Sequence, residues 1–170
     1  MITLVLGGTR SGKSEVAESL VAAAPGQVTY VATGQVTDAD MAARIAAHRA
    51  RRPAGWATVE AGADLPGALA GLTGPVLVDS LGTWVAGHAD LRPDGAGLCA
   101  ALRSRAASGT GATVVVSEEV GLGVHAPTEA GRRFADVLGT LNRAVADESD
   151  RVLLVVAGRV LPLEQAAGLT

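Results

Sequence analysis

A chain of 170 residues is long enough for one α/β domain with its own core and too short for two comfortable ones, so residues 1–170 are expected to form a single domain. With 48% hydrophobic, 18% charged and only 2% aromatic residues, the profile is that of a packed globular protein whose core is built from Val, Leu and Ala. A net charge of −3 leaves no general footprint for nucleic acid, no apolar run approaches the roughly 18–20 residues of a membrane span, and the lone Cys99 excludes an intrachain disulfide framework or thiolate metal site.

In chain order, the first apolar run, Ile2 to Leu6, predicts a buried strand. No basic segment or cleavage pattern accompanies it, so the expectation is a cytoplasmic protein. Gly7-Gly8-Thr9-Arg10-Ser11-Gly12-Lys13-Ser14 follows and matches the pattern G-x-x-x-x-G-K-[ST] between that strand and a helix over Lys13 to Ala23. The chemistry asks for these residue types. Glycines let backbone N–H groups close around phosphate oxygens, the helix N-terminus attracts the anion, Lys13 reaches the outer phosphates, and Ser14 can ligate Mg²⁺. Lys13 is the only lysine in the sequence, the other thirteen basic residues being arginine.

A second strand is expected over Val28 to Ala32, and a helix over Asp38 to Arg51. In that helix Met41, Ile45 and His48 share one face, and Arg44, Arg49, Arg51 and Arg52 make a local positive patch before Pro53. The patch suits a triphosphate, or equally a solvated helix end whose cations complement the macrodipole. Trp56 to Glu60 is an edge strand or a loop. Val76 to Asp79 is an apolar strand ending in a carboxylate, the arrangement in which an aspartate holds a magnesium shell; the alternative for Asp79 is a helix N-cap. Asp90 to Gly97 is the candidate mobile surface loop. A helix over Ala96 to Ala107, strands over Thr113 to Val116 and Val152 to Val156, and an intervening helix over Gly131 to Ser149 complete the chain. Alternating strands and helices predict an α/β fold of the P-loop, RecA-like kind, a mostly parallel sheet with helices on both faces. Asp79, Ser117, Glu118 and Glu119 then face the same crevice as the P-loop, at the carboxyl edge where such sheets bind ligands.

Taken together, these residues resemble the bifunctional adenosylcobinamide kinase and adenosylcobinamide-phosphate guanylyltransferase family of cobalamin biosynthesis. The resemblance rests on Gly7 to Ser14, Tyr30 to Gln35, and Asp40 to Ile45 leading to His48 and Arg52-Pro53. It continues through Trp56, Thr58 and Glu60, the strand into Asp79 with Ser80 to Trp84, then Ser117, Glu119 to Gly121 and Gly123, and finally Arg132, Phe134, Asp136, Gly139, Asn142 and Gly158. It implies two reactions: phosphorylation of adenosylcobinamide by ATP or GTP, and transfer of GMP from GTP onto the resulting phosphate. It also implies that His48 carries GMP covalently. Thr33, Gly34, Gln35, Arg49, Ala50, Arg51, Arg52, Glu60 and Asp79 would contact the guanine nucleotide or its Mg²⁺, and the assembly would be a homotrimer or related oligomer. Glu60 is either a guanine acceptor or an ordinary solvated glutamate. Glu118 stands where the family often has asparagine, and His88 and His125 fall on surface or capping positions. Two competing readings remain: a small-molecule kinase without guanylyl transfer, and a RecA-like nucleotide-dependent switch.

Overall fold

The computed structural model describes residues 1–34 and 53–165. Seven strands form one sheet: β1 (Ile2–Gly7), β2 (Thr29–Ala32), β3 (Ala57–Glu60), β4 (Val76–Asp79), β5 (Thr113–Glu118), β6 (Arg151–Val156) and β7 (Arg159–Leu163). Their order is β3-β2-β4-β5-β1-β6-β7, with every pairing parallel except the last, between β6 and β7. The expected mostly parallel sheet is therefore observed. β1 is buried along its whole length between β5 and β6, which is why its sequence is a continuous apolar run instead of an alternating one.

Five helices are described: α1 (Lys13–Ala22), α2 (Leu65–Leu69), α3 (Leu81–Ala86), α4 (Gly95–Ser108) and α5 (Glu129–Asp147). On one face of the sheet, Ala17 and Val21 of α1, one turn apart, pack on Val5, Leu77, Val114, Val116 and Val155. On the other, residues of α2 to α5 cover Leu4, Leu6, Val31, Val76, Val78 and Val115. Leu138, Leu141, Asn142 and Val145 make the buried stripe of α5, at the spacing an amphipathic helix requires.

Several boundaries differ from the sequence expectation for identifiable reasons. α4 begins at Gly95 because the Asp94 carboxylate accepts from Gly97 N–H at 2.8 Å, so the far end of the expected loop Asp90 to Gly97 is the first turn of a capped helix. Thr128 starts α5 two residues early in the same way. Trp56 to Glu60 resolves as the edge strand β3. Two short helices, α2 and α3, add to the expected elements; five or six residues show no period, and α3 enters the sequence reading only through the alternative that Asp79 caps a helix. β7 was also missed. It returns from β6 through Ala157 and Gly158, both with positive φ (50° and 70°), a two-residue hairpin turn in which Ala stands where Asn or Asp is the usual signal. The expected helix over Asp38 to Arg51 lies outside the described residues, as do Gln35, His48, Arg49, Ala50, Arg51 and Arg52.

Candidate active site

The site is assembled at the carboxyl ends of the central strands. β1 delivers the chain at Gly7, whose register partners are Glu118 on β5 and Val155 on β6. No side chain fits at Gly7: a Cβ there would lie 2.4 Å from Ser11 Oγ and 2.8 Å from the Val155 carbonyl. The loop then turns through Arg10 (φ 57°) and Gly12 (φ 92°), the second a left-handed N-cap that only glycine adopts without cost. Ser11 N–H donates to the Gly8 carbonyl at 3.3 Å, and Gly158 N–H donates to the Ser11 carbonyl at 2.8 Å. The β6–β7 turn thus braces the loop, with Gly158 Cα in van der Waals reach, 3.4 Å, of where a Cβ at Gly12 would lie. Gly8, Thr9 and Arg10 are exposed, while Lys13 and Ser14 are half-buried at the start of α1. The Lys13 ammonium donates to the Gly8 carbonyl at 3.5 Å and pairs with Glu118 Oε1 at 3.5 Å.

Across the sheet, Ala32 is in register with both Glu60 and Asp79, so the two carboxylates terminate their strands in one row. Glu60 is exposed on the edge strand; Asp79 is half-buried and accepts from the Tyr30 hydroxyl at 3.2 Å. The cap of α3 is Ser80, not Asp79. Ser80 and Thr83 form a reciprocal capping box, which leaves the Asp79 carboxylate at the strand end. Thr33 is 3% exposed, and its hydroxyl donates to the Ser80 carbonyl at 2.6 Å and also meets the Thr83 hydroxyl at 2.6 Å. Its side chain braces the β2 and β4 ends together, and Gly34 packs beside Thr83.

A glycine loop closed by a left-handed N-cap, a lysine reaching back across it and an aspartate at the end of β4 are the parts of a P-loop site. A family model described as cobinamide kinase / cobinamide phosphate guanyltransferase matches residues 3–163. The chain belongs to this family. The bifunctional adenosylcobalamin biosynthesis protein CobP of Pseudomonas aeruginosa is 41% identical over 171 residues, covering 96% of this chain and 98% of that protein. The corresponding CobU of Salmonella typhimurium is 36% identical, covering 93% and 97%. Among solved structures, a prototypical ATPase from the type III secretion system of pathogenic bacteria aligns with a TM-score of 0.52 at 9% identity, over 90% of this chain and 50% of that one, a likeness of fold alone.

Within the family's P-loop site, the four residues expected to share the crevice divide. Glu118 reaches it. Ser117 does not: it is fully buried and its hydroxyl donates to Asn142 Oδ1 at 2.6 Å, while Asn142 Nδ2 donates to the Glu118 carbonyl at 3.0 Å, so this pair pins the end of β5 to α5. Alternation along β5 sends neighbouring side chains to opposite faces, and Ser117 falls on the α5 side. Glu119 anchors the following turn, its N–H donating to the Gly7 carbonyl at 3.1 Å and its carboxylate accepting from Gly121 N–H at 2.6 Å. His88 Nδ1 lies 2.8 Å from the Trp84 carbonyl at the end of α3 and its ring meets Trp84 edge-on, a capping position; His125 is exposed. Sequence reasoning missed Ser80 and Thr83 as parts of the site's frame. The signal was Ser-x-x-Thr after an apolar strand, a capping-box variant with Thr in place of Glu or Gln. Among the described residues, no helix is long and apolar enough to cross a membrane.

Proposed function

We propose that the chain performs both reactions of its family. In the first, a hydroxyl of adenosylcobinamide attacks the γ-phosphorus of ATP or GTP and takes the phosphoryl group, and ADP or GDP leaves. In the second, the resulting phosphate receives GMP from GTP, giving adenosylcobinamide-GDP and pyrophosphate. The observation that carries this reading is the loop Gly7 to Ser14, held open by Gly7 and Gly12 and aimed by the start of α1. Its backbone N–H groups and Lys13 suit a polyphosphate, which binds where a helix N-terminus offers unpaired donors.

For guanylyl transfer, His48 is the proposed nucleophile. A neutral imidazole nitrogen attacks the α-phosphorus, pyrophosphate leaves, and the phosphate of the acceptor then takes GMP from the histidine, regenerating it. Family resemblance and imidazole chemistry support that role. Arg49, Arg51 and Arg52, with the backbone at Ala50, would stabilise the charge on the transferred group and the leaving pyrophosphate. Glu60 would accept from the N1–H and amino group of guanine, and backbone groups of Thr33, Gly34 and Gln35 would line the same nucleotide.

Mg²⁺ fits the donors present. The Ser14 hydroxyl at the start of α1 and the Asp79 carboxylate at the end of β4 are hard oxygen ligands, and Mg²⁺ ordinarily takes only one or two protein ligands beside phosphate oxygens and water. Such an ion would neutralise charge on the phosphates. With nucleotides as substrates, the cytoplasm is the proposed location, and a homotrimer or related oligomer is the proposed assembly. The deciding experiment mixes purified protein and Mg²⁺ with GTP labelled at the α- or γ-phosphate, without acceptor. Acid-labile, base-stable label retained from the α-position alone is expected, and absent after His48→Ala or chelation. Retention from neither position would remove the guanylyl-transfer half and leave a plain kinase, to be tested with cobinamide and γ-labelled ATP.

A further inference from the structure

Glu118 occupies a built seat. Its two carboxylate oxygens each accept from the Ser80 hydroxyl at 3.0 Å, and Oε2 also accepts from Gly82 N–H at 3.0 Å. The seat exists because residue 82 is glycine: a Cβ there would lie 2.0 Å from Oε2. The Glu118 backbone is fixed as well, in register with Gly7 and with its carbonyl held by Asn142. Oε1 is thereby presented to the Lys13 ammonium at 3.5 Å, with the lysine side chain 12% and the glutamate side chain 28% exposed. A pair so sheltered is screened less than a surface pair.

We infer that Glu118 is a positioning residue that holds Lys13 as a counter-charge, and that the polyphosphate of an incoming nucleotide must take the ammonium from it. This rests on the nucleotide site proposed above. Carboxylate and phosphate compete for one cation, so the Glu118–Lys13 pair lowers nucleotide affinity and favours release of the product diphosphate or pyrophosphate. The hydrogen bonds from Ser80 and Gly82 place the group; the charge sets the affinity. These are separable, because a glutamine amide oxygen at the Oε2 position accepts from both Ser80 and Gly82 while its NH₂ group carries no charge toward Lys13.

Equilibrium dialysis of labelled Mg-GTP against the full chain tests this with four proteins: unaltered, Glu118→Gln, Lys13→Ala and the double variant. Glu118→Gln is expected to tighten binding roughly fivefold in the unaltered background, about 1 kcal/mol, and to change it less than twofold when Lys13 is alanine. KM for the nucleotide should fall in step, with kcat held or lowered by slower release. An unchanged or weakened affinity for Glu118→Gln overturns the inference. So does an equal gain without Lys13, which would trace the effect to the Ser80 turn. Should the glutamine variant fail to fold, Gly82→Ala expels the carboxylate from its seat, and its affinity must shift in the same direction; the opposite shift overturns the inference. Failure of the unaltered chain to bind, or Lys13→Ala binding equally well, would instead sink the P-loop assignment itself.

Discussion

Among the described residues Lys13 has two partners, Gly8 and Glu118, and a third is expected in the nucleotide. Its substitution separates folding from function. Lys13→Ala leaves the loop backbone supported by Gly158 and Ser11, so the melting temperature should stay within a few degrees. The rate of phosphoryl transfer should fall about 10²-fold or more, because a cation positioned on the outer phosphates acts where charge develops in the transition state. Steady-state kinetics with ATP and cobinamide read this directly, and a variant with near-normal kcat/KM would deny Lys13 that role. At this scale much was legible in the sequence. Gly7, Gly12, Lys13 and Ser14 are dictated by local backbone geometry and the chemistry of one anion, and a contiguous motif records both. Glu118, Ser80 and Thr33 are different: their roles come from side chains separated by 38 and 47 positions meeting at one strand edge.

Among the elements, Arg105 of α4 illustrates how a charge can serve packing. It is 5% exposed and its guanidinium donates to the carbonyls of Leu72 and Gly74 and to the Thr113 hydroxyl at 3.2 Å, tying the turn before β4 to the start of β5. Burial lowers its pKa from the ordinary arginine value, and the carbonyls to which it donates compensate for the lost solvation. Arg105→Met keeps the length and removes the donors to two part-buried carbonyls and a buried hydroxyl. We expect a loss of about 2–4 kcal/mol, read as a lower urea midpoint with nucleotide affinity per folded molecule unchanged. A midpoint within experimental error of the parent would show that water reaches these carbonyls. The helices expected over Ala96 to Ala107 and Gly131 to Ser149 were visible because their apolar positions repeat; their true starts at Gly95 and Glu129 are set by the side chains of Asp94 and Thr128, which periodicity does not register.

For the molecule as a whole, the outer edge of the sheet is the least finished part. β7 is exposed along its length, with Val160, Leu161 and Leu163 at 46%, 57% and 40% exposure and Val156 on β6 at 58%. Pro162 removes one edge donor, a common device against uncontrolled strand pairing. An apolar edge of this kind suits the proposed homo-oligomer. Leu161→Arg, tested by light scattering after gel filtration, is expected to lower the assembly mass if this edge is the contact, while the protomer keeps its circular dichroism. An unaltered mass would place the contact elsewhere. Ligand adds a second whole-molecule effect: Mg-GTP at about 100 times its Kd should stabilise the native state by about 2.7 kcal/mol, and chelation should remove most of that gain.

By itself, the sequence determined the fold class, the central strand, the phosphate loop and the family, because each is written in contiguous residues: an apolar run, a glycine spacing, a helical period. Only the tertiary structure decided that Ser80 and not Asp79 caps the following helix, that Ser117 turns into α5 while Glu118 turns to Lys13, and that a late hairpin braces an early loop. Those outcomes depend on strand register and on which face of the sheet each side chain meets. Register is set by the packing of elements distant in sequence, so no local pattern carries it.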